Sequence, residues 1–274
     1  MGGSNEGGDD AVTAEEGQAL TENGILLHAK HAYMPNSLGY CGPDDRGLIL
    51  RHIEESKGGE DLASTLKGFE AAYPFLRLIA RSTGREVFDY AVPEAYWIGN
   101  ALLDRVETPE FYRFSHHELV GKDPREVKKL FKAVGGRARP HHTFYVMSTY
   151  ATSSVADGPS LSADGRRKVE GLIDNCRISW GEVQEVGKKK LTVRYEPISL
   201  NDGRMLLSSP VVRRVNYNPE VRSFSRVKPG DWVTMHWDYA CDVASPRQLR
   251  NIKKYTALDI EATNRILKAP RRKP

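Results

Sequence analysis

The chain has 274 residues, 39% of them hydrophobic and 28% charged, with a formal net charge of +4. This is length and apolar content enough for one large domain or two ordinary ones. The mild charge by itself does not show a large uniform basic field for nucleic acid, and no apolar run reaches the roughly eighteen residues of a membrane-spanning helix. Three scattered cysteines, Cys41, Cys176 and Cys241, cannot form a disulfide framework and point to cytoplasmic thiols.

The first residues, MGGSNEGGDD, are acidic and glycine-rich and lack the basic and apolar regions of a secretory signal. Residues 1–13 are expected to be a disordered leader. From 14 to about 33 the chain is rich in helix formers, and Pro35 and Asn36 are expected to end that helix. Pro43, Asp44 and Asp45 suit the start of a second helix carrying Leu48, Ile49 and Ile53, which Gly58 and Gly59 close. A third helix is expected from Asp61 to Ile79, kinked or split at Pro74. Pro93 and Glu94 open a helix with Tyr96, Trp97, Ile98, Leu102 and Leu103. Pro109 and Glu110 open one with Phe111, Tyr112 and Phe114. Asp123, Pro124 and Glu126 begin another, which Gly135 and Gly136 stop. Periodicity leaves 143–149 open between helix and strand. A helix over 162–172 has Ser160 or Ser162 as its cap.

After Asn175 the pattern changes to short strand-like runs: 183–186, 190–195, 205–207, 211–215 and 232–236, the last strand expected. Asn201-Asp202-Gly203 and Lys228-Pro229-Gly230 are turns between them. Such a series suits a small barrel. Ser245 and Pro246 then cap a closing helix carrying Leu249, Ile252, Leu258, Ile260 and Ile266. The expected architecture is α+β: an all-α domain over 14–174, a small OB-like β-barrel with a C-terminal helix over 175–267, and a basic tail over 268–274.

The words Val227-Lys228-Pro229-Gly230-Asp231-Trp232-Val233, then His236, then Asp238-Tyr239-Ala240, resemble the closing motif of the HypC/HupF family. That family consists of small OB-like barrel chaperones that help build the iron centre of [NiFe]-hydrogenases. Asp238 stands where the family has glycine. Cys176, Gly181 and Val183 stand at the offsets of the family's opening cysteine, glycine and valine, whereas Arg177, Ser179 and Trp180 replace its leucine, isoleucine and proline. In the family this cysteine follows the initiator methionine; here it is internal. The resemblance covers about 90 residues. It implies an assembly role without catalysis, with Cys176, His236, Asp238 and Tyr239 binding an iron-centre intermediate or a partner, and Cys176 the metal ligand. The implied cargo is iron as an Fe(CN)2CO unit. The implied partners are a [NiFe]-hydrogenase large subunit or a HypD-like maturation protein. Thiolate is a soft ligand that suits low-spin iron, and Cys176 on the first strand and His236 on the last are expected to meet as a barrel closes.

In the helical half, Leu38-Gly39-Tyr40-Cys41-Gly42-Pro43-Asp44 resembles a motif of an uncharacterised bacterial and archaeal family linked with hydrogenase genes. Cys41, just ahead of a helix, is expected to have a lowered pKa. His28 and His31, three apart on a helix, share a face. With Cys41 and Asp44 they form a possible secondary site, chemically suited to zinc or iron. Arg137, Arg139, His141 and His142 suit a phosphate or an acidic partner segment. Two alternatives follow. One is a single-stranded nucleic-acid-binding OB module using Lys188 to Lys190, Arg194, Tyr195, Arg213, Arg214, Tyr217 and Phe224. The other is a metal-dependent enzyme centred on Cys41 and the histidines. No P-loop, GxGxxG or GxSxG motif is present to support nucleotide or hydrolase chemistry.

Overall fold

A computed structural model describes residues 13–117, 124–153 and 162–269. The leader over 1–12, Asp123, Ser160 and the tail beyond Ala269 lie outside the described residues. The fold is α+β. Helices α1 (Ala14–Ser37), α2 (Arg46–Glu55), α3 (Glu60–Leu66), α4 (Tyr73–Thr83), α5 (Ala91–Trp97), α6 (Thr108–His117), α7 (Pro124–Val134), α8 (His142–Thr152) and α9 (Ala163–Cys176) precede the strands. The strands are β1 (Ser179–Val186), β2 (Lys190–Tyr195), β3 (Ile198–Asn201), β4 (Arg204–Leu207), β5 (Val211–Asn216), β6 (Trp232–His236) and β7 (Tyr239–Val243), and α10 (Pro246–Lys268) closes the series.

Local chemistry accounts for most boundaries. Thr13 and Ser245 form capping boxes with Glu16 and Gln248, so α1 and α10 begin with their first amides satisfied. Pro74 falls in the first turn of α4, where its missing N–H costs nothing, and the expected single helix is split before it. Residues 143–149 are helical, inside α8.

Pro35 does not end α1. The helix carries the proline in its last turn and runs on to Ser37. The proline lacks the N–H that would bond the His31 carbonyl four residues back. That carbonyl is taken up by a side chain from the sheet.

The strands β1-β2-β5-β7-β6 pair in a ring that returns to β1, while β3 and β4 form a separate hairpin. All neighbours in the ring are antiparallel except β5 and β7, which meet in parallel at Asn216 and Tyr239. Trp232–His236 is not the last strand, as expected from sequence. Trp237 and Asp238, both at positive φ (51° and 57°), make a tight turn into β7. Two left-handed residues are what a two-residue hairpin requires, and β7 is short and mixed in polarity, so its pattern is weak. Cys176 is also not on the first strand. It is the last residue of α9.

Helices and sheet share one apolar core, running from Ile25 and Leu27 of α1 through Val183, Val193 and Val233 of the sheet to Ile252 and Ile266 of α10. The β3–β4 hairpin packs on α8 and α9 through Ile198, Leu200, Met205, Met147 and Ile173. The closing helix lies against α8 and α7. Its close approach to the end of α5 depends on Gly99, at φ 89°, where an added Cβ would fall 2.4 Å from the Tyr255 ring. Polar ties join the same elements. Arg247 makes two bonds of 2.7 and 3.0 Å to the buried Glu94, and Lys30 pairs with Asp242 at 2.9 Å.

Candidate metal centre

The site forms where the end of β6, the start of α8 and the end of α9 meet. Trp237 donates its backbone N–H to the Asn175 carbonyl at 2.9 Å, which pins the β6–β7 turn to the end of α9. This puts His236 beside Cys176. His142 comes in as the first residue of α8. The ligand atoms of His142, Cys176 and His236 all lie within 4.8 Å of one another.

Backbone groups fix the orientation of both imidazoles. His236 Nδ1 lies 2.7 Å from the His31 carbonyl, the one left free by Pro35. A carbonyl only accepts, so Nδ1 carries the proton and donates it. Nε2 is then a bare lone pair, buried and without a hydrogen-bond partner. His142 donates from Nε2 to the Cys176 carbonyl at 2.8 Å, and its Nδ1 accepts from the Tyr96 hydroxyl at 3.2 Å. The Cys176 carbonyl is available because α9 ends there. Each imidazole thus has one nitrogen held by a carbonyl, the arrangement that orients histidine ligands in metal sites. His236 presents its other nitrogen free, whereas Nδ1 of His142 would ligate a metal only once the Tyr96 hydroxyl turns away.

Electrostatics keep the donors neutral. Burial lowers the His236 pKa to about 4, against small opposing hydrogen-bond effects, and with the neighbouring His236 it holds His142 well below the ordinary value. Burial pushes the Cys176 thiol up to about 11. The Trp237 indole N–H faces this thiol and favours the thiolate slightly, without making a hydrogen bond of ordinary geometry. A half-buried thiol and two buried neutral imidazoles are donors for zinc, iron or copper. A cation among them would offset the cost of a buried thiolate, and bonds of about 2.0–2.3 Å would draw the donors closer together.

Trp97 lies at the centre of the surrounding packing. Its ring is 4.6 Å from that of His142, 5.5 Å from His28, 5.8 Å from His236 and 5.9 Å from His31. Its indole N–H donates to His28 Nδ1 at 2.9 Å. His31 is bonded on both sides, through Nδ1 to the Leu27 carbonyl at 2.9 Å and through Nε2 to the Thr234 hydroxyl at 3.1 Å. Burial lowers His28 to about 3 and His31 to about 4.

The residues expected from sequence therefore separate. Cys176 and His236 come together. Asp238 is exposed, pairs with Arg213 and accepts from the Asn216 amide, and its left-handed φ accounts for the glycine at the matching position of the family motif. Tyr239 packs edge-on against Tyr33, 5.7 Å between centroids. Among the described residues, Cys41, His28, His31 and Asp44 do not form a metal group, and Asp44 is exposed. The expected lowered pKa of Cys41 is reversed. Burial and the neighbouring Cys176 raise it to about 11, and the following helix starts only at Arg46, capped by Asp45.

Arg139 pairs with Asp104 at 3.1 Å and Arg137 with Glu261 at 3.5 Å, while His141 bonds the fully buried Asp259 at 2.5 Å, so these side chains already have carboxylate partners. Sequence reasoning did not place His142 with Cys176 and His236, nor Tyr96 and Trp97 around it. The available signal was a histidine just inside a helix start after Pro140, where a side chain can project from the helix end.

No curated protein and no solved structure matches the chain. A family model described as a family of unknown function matches residues 20–270, nearly the whole length, and the chain belongs to that family, DUF6390.

Proposed function

We propose that this protein is an assembly factor for a metal centre, binding a soft metal unit through Cys176, His142 and His236 and docking on the protein that supplies or receives it. One observation carries the reading. Cys176 and His236, the two ligand-type residues on which the resemblance to the HypC/HupF chaperones rests, lie in separate elements and yet meet with a third donor in a buried group. The connectivity supports the same reading. Without the β3–β4 hairpin, the ring runs first, second, third, fifth, fourth and back to first, with the third and fifth strands parallel. We read this order as that of an OB-like barrel. The cargo is an iron unit of the Fe(CN)2CO type, with a [NiFe]-hydrogenase large subunit or a HypD-like protein as partner, in the cytoplasm. Among the described residues no helix is long and apolar enough to cross a membrane.

The internal position of Cys176 favours docking and holding over free carriage, because one ligand, His142, is supplied by the helical half. The nucleic-acid reading loses its stacking surface: Tyr195, Tyr217 and Phe224 are buried, and Arg194 and Arg213 pair with Glu182 and Asp238. The test is purification of the full chain from a host that makes [NiFe]-hydrogenase, followed by identification of bound proteins and metal analysis. A hydrogenase subunit or maturation protein is expected, with iron that is absent from Cys176→Ala. If neither partner nor metal is recovered, the proposal fails.

A further inference from the structure

Three protein donors leave the coordination of a tetrahedral ion incomplete. The loop between α1 and α2 runs beside these donors, with Tyr40 against Trp237. This loop, residues 38–45, is held at both ends. Asn36 donates from Nδ2 to the Cys41 carbonyl at 2.9 Å and to the Pro43 carbonyl at 2.7 Å, and Tyr40 donates its amide to the Pro35 carbonyl at 2.9 Å. Gly42 presses onto the core, where an added Cβ would fall 2.5 Å from the Phe69 ring.

The loop also reaches the metal site. The Tyr40 ring, 61% exposed, lies 4.4 Å from that of Trp237. Tyr40 precedes Cys41 and Trp237 follows His236, so the chain neighbours of the two candidate ligands are in contact. Cys41 is half-buried on this side, packed against the common core. Its thiol lies within electrostatic reach of Cys176 and of Tyr96, whose hydroxyl bonds His142. One buried acceptor here, His236 Nε2, has no hydrogen-bond partner, and the Trp237 indole N–H has only the Cys176 thiol before it. Such an orphan is costly unless something meets it. The third cysteine is placed differently: Cys241 sits on β7, its thiol 3.7 Å from the Tyr239 carbonyl.

We propose that Cys41 is the fourth ligand when the site holds a bare borderline divalent ion such as Zn²⁺ or Fe²⁺, held then by two thiolates and two imidazoles under a roof made by residues 38–43. An Fe(CN)2CO unit, with three positions left by its diatomic ligands, takes Cys176, His142 and His236 alone. The proposal rests on the reading that Cys176, His142 and His236 hold a metal. Cys41 stands outside the 4.8 Å group, so ligation draws the loop inward. Gly39 and Gly42, at φ 73° and 81°, flank the Tyr40-Cys41 pair and supply the backbone freedom for that movement. Binding releases the two thiol protons to solvent and involves no change of oxidation state. Lifting the same loop removes one ligand and opens the ion to a partner's donors, so the loop couples docking to release.

The test is titration of the metal-free full chain with Co²⁺, followed by thiolate-to-cobalt charge-transfer absorption. Wild type is expected to give a tetrahedral spectrum with intensity for two thiolates. Cys41→Ser should keep the fold, lose about half of the charge-transfer intensity and bind cobalt at least about tenfold more weakly. Cys41→Ala should behave alike, and Cys241→Ser should match wild type. A Cys41→Ser protein with wild-type intensity and affinity would overturn the fourth ligand and leave the three-residue site standing. Absence of cobalt binding by wild type would remove both.

Discussion

Acidification from pH 7 to pH 5 tests the histidine cluster as a whole. His28, His31 and His236 are fully buried, with pKa values lowered to about 3, 4 and 4, and His142 lies well below the ordinary value. In the unfolded chain each returns to about 6.5. A lowered folded pKa means that the unfolded state takes up protons first. The stability is therefore intact above about pH 7 and is lost as pH falls through 6.5 towards 4. For a histidine with a folded pKa near 4, the loss between pH 7 and pH 5 integrates to about 2 kcal/mol, so the three with stated values lose about 6 kcal/mol and His142 adds to it. Asp259, whose pKa burial raises, works in the opposite direction. Against a typical total of about 5–15 kcal/mol this is most of the stability. Urea unfolding of the metal-free chain at pH 7, 6 and 5 measures it, and the slope near pH 5 should correspond to uptake of between about three and four protons. A slope below one proton would refute the reasoning, because the imidazoles would then be reachable by water or already charged in the folded state.

Three further perturbations follow from the same packing. Arg247→Ala leaves the Glu94 carboxylate, 2% exposed, with Asn100 as its side-chain partner, and should cost about 2–4 kcal/mol in chemical denaturation, part of which Glu94→Gln in the same chain restores. Gly99→Ala puts a methyl group into the Tyr255 ring at a left-handed position, and a loss of about 2 kcal/mol or more should appear as a lower Tm. Cys176→Ser should abolish metal binding with little change in Tm of the metal-free chain, since the replacement is nearly isosteric; a large drop in Tm with metal retained would make Cys176 a packing residue.

Much of the secondary structure was legible because it is written in local terms. Capping residues, prolines in first turns and paired glycines act within a few residues, so the start of α10 and the stop after α7 followed from sequence. The misreadings came where a long-range partner overrides a local rule. Pro35 reads as a helix stop, but the carbonyl it frees is satisfied by His236 from the sheet, and the helix continues. The strand β7 was invisible because its turn uses Trp237 and Asp238 at positive φ in place of the usual glycine or asparagine. The pKa of Cys41 was misjudged in sign because proximity to a helix start is visible in sequence and burial is not.

By itself, the sequence determined the α+β character and the order of most elements, and it singled out two members of the candidate group, Cys176 and His236, because a spaced motif and a change of hydrophobic period are properties of the chain. Only the tertiary structure decided that His142 joins them, that His28 and His31 are engaged by Trp97 and Thr234 instead, and that helices and sheet share a core. A ligand set depends on where side chains converge and on which lone pairs remain free. Both are fixed by bonds between residues far apart in sequence, such as Nδ1 of His236 on the carbonyl that Pro35 leaves open.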